Sequence, residues 1–384
     1  MKNKILKILS YVLVAAAASA VTFGFCAFGQ AAAAGKLDQL ANLIENRFIG
    51  EVDMGRMEDA AAAAMVDSLG DRWSYYLTAE DYLSHMEQVN NAYVGIGVTI
   101  VAAADGSGVE ITKVEPNAPA LDAGIQVGDI IVGVGGQGVA GMTTTELRNL
   151  VRGEAGTFVR LTIKRGEEVF DLSVERRTVE TAVATGVMLP GNVGLVTITN
   201  FDSRCASESI AAIEELISQG AQGLVFDVRN NPGGYKDELV KLLDYLLPEG
   251  PLFRSEDYNG KVEVDESDAS CLEMPMAVLV NEDSYSAAEF FAAAMAEYDW
   301  AVVAGTQTVG KGYFQVTYRL GDGSAVGLSI GKYTTPNGVS LQDVGITPEI
   351  LVDVDDETYY RIYSGLLAPE EDPQIQAAVA AILP

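Results

Sequence analysis

Histidine is almost missing. The chain has 384 residues and one histidine, His85, with three cysteines, Cys26, Cys205 and Cys271. A single histidine excludes His-rich metal sites and nearly every Ser-His-Asp triad. No C-x-x-C pair occurs, so zinc-ribbon and dithiol redox chemistry fall away, and Cys205 and Cys271 read as unpaired core thiols. Basic residues are scarce too. Lys and Arg number 25 against 54 Asp and Glu, a net charge of −29. Such a chain repels phosphate backbones, which argues against nucleic acid as a partner. What is present is ordinary for a folded protein: 48% hydrophobic and 21% charged residues, over a length that suits two or three domains.

At the N-terminus, Lys2, Lys4 and Lys7 precede an apolar run from about Ile8 to Phe28, followed by small residues. Residues 1–34 therefore read as a signal peptide, with Ala27-Phe28-Gly29 as a small-x-small cleavage site, or as an uncleaved signal anchor, since the run can span a bilayer. Phe25 is too bulky for a lipoprotein signal before Cys26. Either reading places the rest of the chain outside the cytoplasmic membrane.

The period then changes along the chain. Residues 35–90 carry apolar positions at helical spacing, with Thr78 as an N-cap and His85 as a partly exposed helix residue. Residues 91–178 alternate in short strands with two helices, the pattern of a small β-barrel. Residues 179–365 alternate strand and helix, which predicts an α/β core with crossover helices. Residues 366–384 read as a helical tail.

Gly305, Gly310 and Lys311 spell G-x-x-x-x-G-K, but Gly312 stands where a phosphate loop needs Ser or Thr. A phosphate loop also opens a helix, whereas "YFQVTYRLGDGSAVGLSIGKY" alternates around a Gly-Asp-Gly turn and predicts a hairpin. Upstream, "VLVNEDSYSAAEFF" is a buried strand, a turn with two serines and an apolar helix. Either Ser284 or Ser286 caps that helix, or one exposes a nucleophilic hydroxyl beside free helix amides. With no histidine nearby, a lysine of lowered pKa is the available base, and Lys311 lies between glycines and near Val309 and Phe314. "GLVFDVRNNPGGYKDELV" adds a glycine turn that suits an oxyanion donor or a plain tight turn.

Together, "FDVRNNPGG", "VLVNEDSYSAAEF", "GTQTVGKGYFQ" and "TTPNGVSLQDVGITPEI" resemble the carboxyl-terminal processing peptidases, Ser/Lys endopeptidases with an inserted PDZ domain, over about residues 37–355. The resemblance implies a tricorn-core or ClpP-like α/β protease fold with an inserted β-barrel PDZ domain and an N-terminal helical region. It makes Ser286 the nucleophile, Lys311 the general base and Gln315 the residue orienting the lysine. It gives the backbone amides of Gly234 and Ala287 as oxyanion donors, and those of Ile96, Gly97 and Val98 as the carboxylate-binding loop. Tyr285, Ala288 and Val309 depart from the family pattern, and Tyr285 beside the nucleophile bears on specificity. The expected partners are proteins or peptides with free C-termini. No metal or cofactor is expected, and a membrane anchor and a homo-oligomer both stay open. The alternatives are a catalytically silent PDZ scaffold and a nucleotide-binding protein.

Overall fold

The computed structural model describes residues 35–364 and 366–383, so the signal or anchor segment, with Cys26, lies outside the described residues. Two units are distinguished, one ending at Gly70 and one beginning at Asp71. In the first, α1 (Lys36–Arg47) and α2 (Met54–Asp67) follow the helical spacing. Asp53 caps α2 by accepting the Arg56 N–H at 3.0 Å, ahead of a run of alanines, the best helix formers.

The second unit corrects the reading of 35–90 as helical throughout its segments: residues 75–77 form a strand. β1 (Tyr75–Leu77) pairs antiparallel with Ala325–Gly327, some 250 residues later in the chain. Only a distant partner could reveal it: the Tyr75 ring lies where a side chain at Gly327 would be, 2.3 Å from a Cβ built there. Thr78 then caps α3 (Ala79–Val89), accepting the Asp81 N–H at 3.1 Å.

The small domain follows as β2 (Ala92–Gly95), β3 (Val98–Ala102), β4 (Val109–Val114), α4 (Pro119–Asp122), β5 (Ile130–Val134), β6 (Gln137–Gly138), α5 (Thr144–Val151), β7 (Phe158–Arg165), β8 (Glu168–Glu175) and β9 (Arg177–Glu180). β7 shows the period of two cleanly, with Val159, Leu161 and Ile163 buried between more exposed neighbours. The domain's entry and exit strands, β2 and β9, pair with each other. The sheet β3-β4-β5-β7-β8 stays open among the described residues, and a closed barrel is not formed. α5 packs against β3 and β5 instead, and the gap beside β3 becomes a groove.

The core continues through β10 (Ala184–Leu189), β11 (Val193–Ile198), α6 (Cys205–Ser218), β12 (Gly223–Asp227), α7 (Lys236–Leu246), β13 (Gly250–Asp257), β14 (Val262–Ser267), β15 (Met276–Val280), α8 (Ala287–Glu297), β16 (Ala301–Gly305), β17 (Tyr313–Arg319), β18 (Ala325–Thr334), β19 (Ile350–Leu351), α9 (Asp356–Tyr363) and α10 (Pro373–Ile382). Its main sheet has the order β10-β11-β12-β15-β16-β19, parallel except for β10. Strands such as β15, "MAVLV", are apolar throughout because both faces are covered. Leu224, Phe226, Val278 and Val280 face α6, α7 and α8, while Val225, Ala277 and Leu279 face α10. Phe226, Phe290 and Phe291 are at most 1% exposed, and each such ring contributes roughly 1.5–3 kcal/mol of burial. β17 and β18 form the hairpin expected after Lys311, in a second sheet with β1, β13 and β14. Cys205 and Cys271 are both free thiols.

Candidate active site

Three loops leave the carboxyl ends of the adjacent parallel strands β12, β15 and β16, the edge at which open α/β sheets collect their ligands. They carry the Asn-Asn-Pro-Gly-Gly turn, the two serines and Lys311. Side-chain bonds stitch the first two together. Asn281 accepts the Asn230 N–H at 2.8 Å and donates to Asn230 Oδ1 at 2.9 Å. The fully buried Ser284 Oγ donates to the Val228 carbonyl at 2.7 Å. The two serines are thereby told apart: Ser284 is spent on structure, and Ser286 is left at the head of α8.

Ser286 has φ 58° and ψ −125°, a conformation that costs a non-glycine residue about 1–3 kcal/mol. Glu289, fully buried one turn along α8, holds it there. Its Oε2 accepts the N–H of Ser286 at 3.0 Å and that of Lys311 at 2.9 Å. Its Oε1 accepts the Gly310 N–H at 2.7 Å and the Thr308 hydroxyl at 2.5 Å. One carboxylate thus binds the serine turn and the lysine loop into one body. The Ser-x-x-Glu spacing is a capping signature, so the sequence carried a signal for Glu289 that went unused.

The Lys311 ammonium lies 5.0 Å from the centre of the Trp73 ring and 5.7 Å from that of Tyr285. These rings are stacked at 6.0 Å. Burial pulls the lysine pKa down to about 8, although the charges of Asp71 and Glu289 pull the other way. An amine that is half neutral near pH 8 is suited to general-base work. Asp71 is itself held below the usual carboxylate range: burial opposes this, and hydrogen bonds from Ser329, Ser74 and the Trp73 and Ser74 amides prevail. Nothing local in the sequence marks Trp73 or Asp71. His85 is half-buried, 5.7 Å from the Tyr75 ring, and burial and the Lys311 charge hold its pKa below the ordinary value.

The named groups share one edge but are not bonded to each other. Among the described residues no hydrogen bond joins Ser286 to Lys311. Ser286 Oγ pairs with the Tyr333 hydroxyl at 2.8 Å. The Gln315 amide donates to Ser329 Oγ at 2.9 Å and to the Tyr313 carbonyl at 3.2 Å, so it is turned to the hairpin and not to the lysine. The N–H groups of Gly234 and Ala287 have no acceptor among the described residues. The turn before α7 lies directly on the serine turn: a Cβ at Gly233 would sit 2.8 Å from both Ala287 N and Ser286 Cβ.

In the small domain a groove of about 380 Å³ runs between β3 and α5. The loop Ile96-Gly97-Val98 closes one end, Ile131, Leu147 and Val151 give it an apolar floor, and Arg148 and Arg152 stand on its wall. The Ile96 and Gly97 amides donate to no acceptor among the described residues. Gly97 has φ +77°, and a Cβ there would fall 2.2 Å from that of Ala118.

Peptidase family S41 matches residues 192–352, and a PDZ domain matches residues 110–165. The carboxy-terminal processing protease CtpA of Bacillus subtilis is 33% identical over 326 residues, 84% of this chain and 69% of that protein. The chain belongs to peptidase family S41. A second relative, the "Probable CtpA-like serine protease" of Staphylococcus epidermidis, is 33% identical over 83% of this chain; the chain spans 65% of that protein's length. A solved structure from Bacteroides fragilis assigned to the S41 proteases shares the fold, with a TM-score of 0.57 over 88% of this chain and 93% of that one at 17% identity. The family with its PDZ domain accounts for the architecture around the three loops.

Proposed function

We propose that the protein is an exported serine endopeptidase that cuts proteins near their C-termini, with Ser286 as nucleophile and Lys311 as general base. The observation that carries the reading is the Glu289 carboxylate oxygen shared by the Ser286 and Lys311 amides. It fixes a strained, helix-capping serine beside a lysine whose burial lowers its pKa to about 8. In the working arrangement the Lys311 side chain turns from the Trp73 and Tyr285 rings to Ser286. Neutral Lys311 takes the Oγ proton as Oγ bonds to the scissile carbonyl carbon. The carbonyl oxygen becomes an oxyanion and takes the N–H groups of Gly234 and Ala287. Lys311 returns the proton to the leaving amine as the C–N bond breaks, and water repeats the cycle on the ester. Gln315 would orient the lysine by exchanging Ser329 for it.

The PDZ groove would hold the substrate's free C-terminus, its carboxylate on the amides of Ile96, Gly97 and Val98 and its chain added as a strand along β3. Export, with residues 1–34 cleaved or kept as an anchor, belongs to the same proposal, and fractionation of cells expressing the full chain tests it. The deciding experiment is cleavage of an unstructured peptide by wild type and by Ser286→Ala. Turnover lost only in the variant supports the reading. The missing bond between Ser286 and Lys311 favours the second reading, a silent PDZ scaffold; that reading is supported if both proteins bind the peptide and neither cuts it.

A further inference from the structure

The Ser286 hydroxyl pairs with a hydroxyl to which no role has been given. Tyr333 is the penultimate residue of β18, and its N–H donates to the Gly312 carbonyl at 3.0 Å, one residue past Lys311. Its ring is 5% exposed and is clamped by Phe290, edge-on at 4.4 Å, by Phe253 at 5.2 Å and by Phe314, stacked at 6.2 Å. The ring cannot swing without opening that cluster. Its hydroxyl stands 2.8 Å from Ser286 Oγ and has no other partner among the described residues.

We propose that Tyr333 is a further catalytic residue, whose phenol donates a hydrogen bond to Ser286 Oγ as the serine proton leaves. The inference rests on the Ser286 and Lys311 reading above. Before reaction the two hydroxyls share one bond in which either can donate. As Lys311 Nζ takes the proton, Oγ gains negative charge and becomes an acceptor only. The Tyr333 O–H then donates to it, and this bond strengthens toward the transition state, which is where an interaction accelerates a reaction. Burial holds the phenol well above its usual pKa, so it keeps its proton while Lys311 titrates. A donor already clamped in place needs no reorganisation at the moment of reaction. No proton is transferred from Tyr333: the Oγ proton goes to Lys311 and on to the leaving amine. If Tyr333 instead let go of Ser286, a buried hydroxyl would be left unpaired, which is unfavourable.

The test compares wild type, Ser286→Ala, Tyr333→Phe and protein carrying 3-fluorotyrosine at 333. Peptide turnover and the rate of fluorophosphonate labelling at Ser286 are both measured. Tyr333→Phe is expected to lower kcat and the labelling rate together by roughly tenfold to a hundredfold, a neutral-donor fraction of what an oxyanion donor is worth, with KM within about twofold. The fluorinated ring keeps the bulk and is a stronger donor, so it is expected to match or exceed wild type. This second variant decides the matter even if Tyr333→Phe folds poorly. A Tyr333→Phe protein as fast as wild type or faster, or a fluorinated protein slowed tenfold, overturns the role of Tyr333 while leaving Ser286 standing. A wild type that neither turns over nor labels at Ser286 overturns the underlying reading and the role of Tyr333 with it.

Discussion

In the PDZ groove the amides of Ile96 and Gly97 give their hydrogen bonds to no acceptor among the described residues, and they line an open groove. In the catalytic cleft the side chains are all engaged: Ser286 with Tyr333, Gln315 with Ser329, Lys311 against two aromatic rings. Backbone amides can be left unpaired at a surface because water serves them until a ligand comes. A buried hydroxyl or ammonium has no such reserve and takes whatever partner the fold offers. On the proposed reading the groove binds as it stands, whereas the cleft exchanges partners before it cuts. Its backbone N–H groups at Gly234 and Ala287 resemble the groove in having no acceptor among the described residues.

The largest effect should come from the side chains that must rearrange. Lys311→Ala and Ser286→Ala are each expected to lower kcat/KM on an unstructured peptide by at least roughly a thousandfold with an unchanged fold, since members of one catalytic unit fail together. A Lys311→Ala protein within tenfold of wild type would remove the lysine from the chemistry. Next is the carboxylate that ties the loops. In Glu289→Gln an NH2 group must face backbone N–H donors, so the variant should lose about 2–3 kcal/mol in chemical denaturation, and its cleavage should fall as Ser286 relaxes. Unchanged stability would show that the four bonds to Glu289 are dispensable.

The pH profile probes the same cleft more gently. A neutral lysine is required, so kcat/KM should be low below the lysine pKa and rise through about pH 8. The Asp71 charge holds that pKa up, so Asp71→Asn should move the rise to lower pH; movement to higher pH would contradict the assignment. The groove is tested by matched peptides ending in an acid or an amide. The amide should be cut about tenfold more slowly, the equivalent of about 1.4 kcal/mol of lost carboxylate binding. Equal rates would mean that the groove does not read C-termini. Substituting Gly97 is a poor substitute for this comparison, because a side chain there meets Ala118 and breaks the loop itself. The smallest effect is expected at His85. Burial and the Lys311 charge hold its pKa below the ordinary histidine value, so it is already neutral where the rise occurs and His85→Gln should leave the rise near pH 8 where it is. A shifted rise would put the imidazole back into the electrostatics of the base.

Much of this arrangement could be read along the chain. Apolar runs such as "VLV" gave the parallel strands, alternation after Lys311 gave the hairpin, and a start at Ala287 gave the helix that Ser286 heads. These are short-range signals, set by periodicity and by which backbone groups lack a partner. The sequence also limited the chemistry, since a single histidine leaves little room for a histidine-based triad. Tertiary structure decided the rest. The strand Tyr75–Leu77 exists because Ala325–Gly327 lies alongside it, some 250 residues later. The same segment brings Asp71 and Trp73 to Lys311, and the end of β18 brings Tyr333 to Ser286. Burial, which sets the lysine pKa and the choice of hydrogen-bond partner, belongs to the packed molecule: it depends on which distant atoms displace water, and no local pattern encodes that.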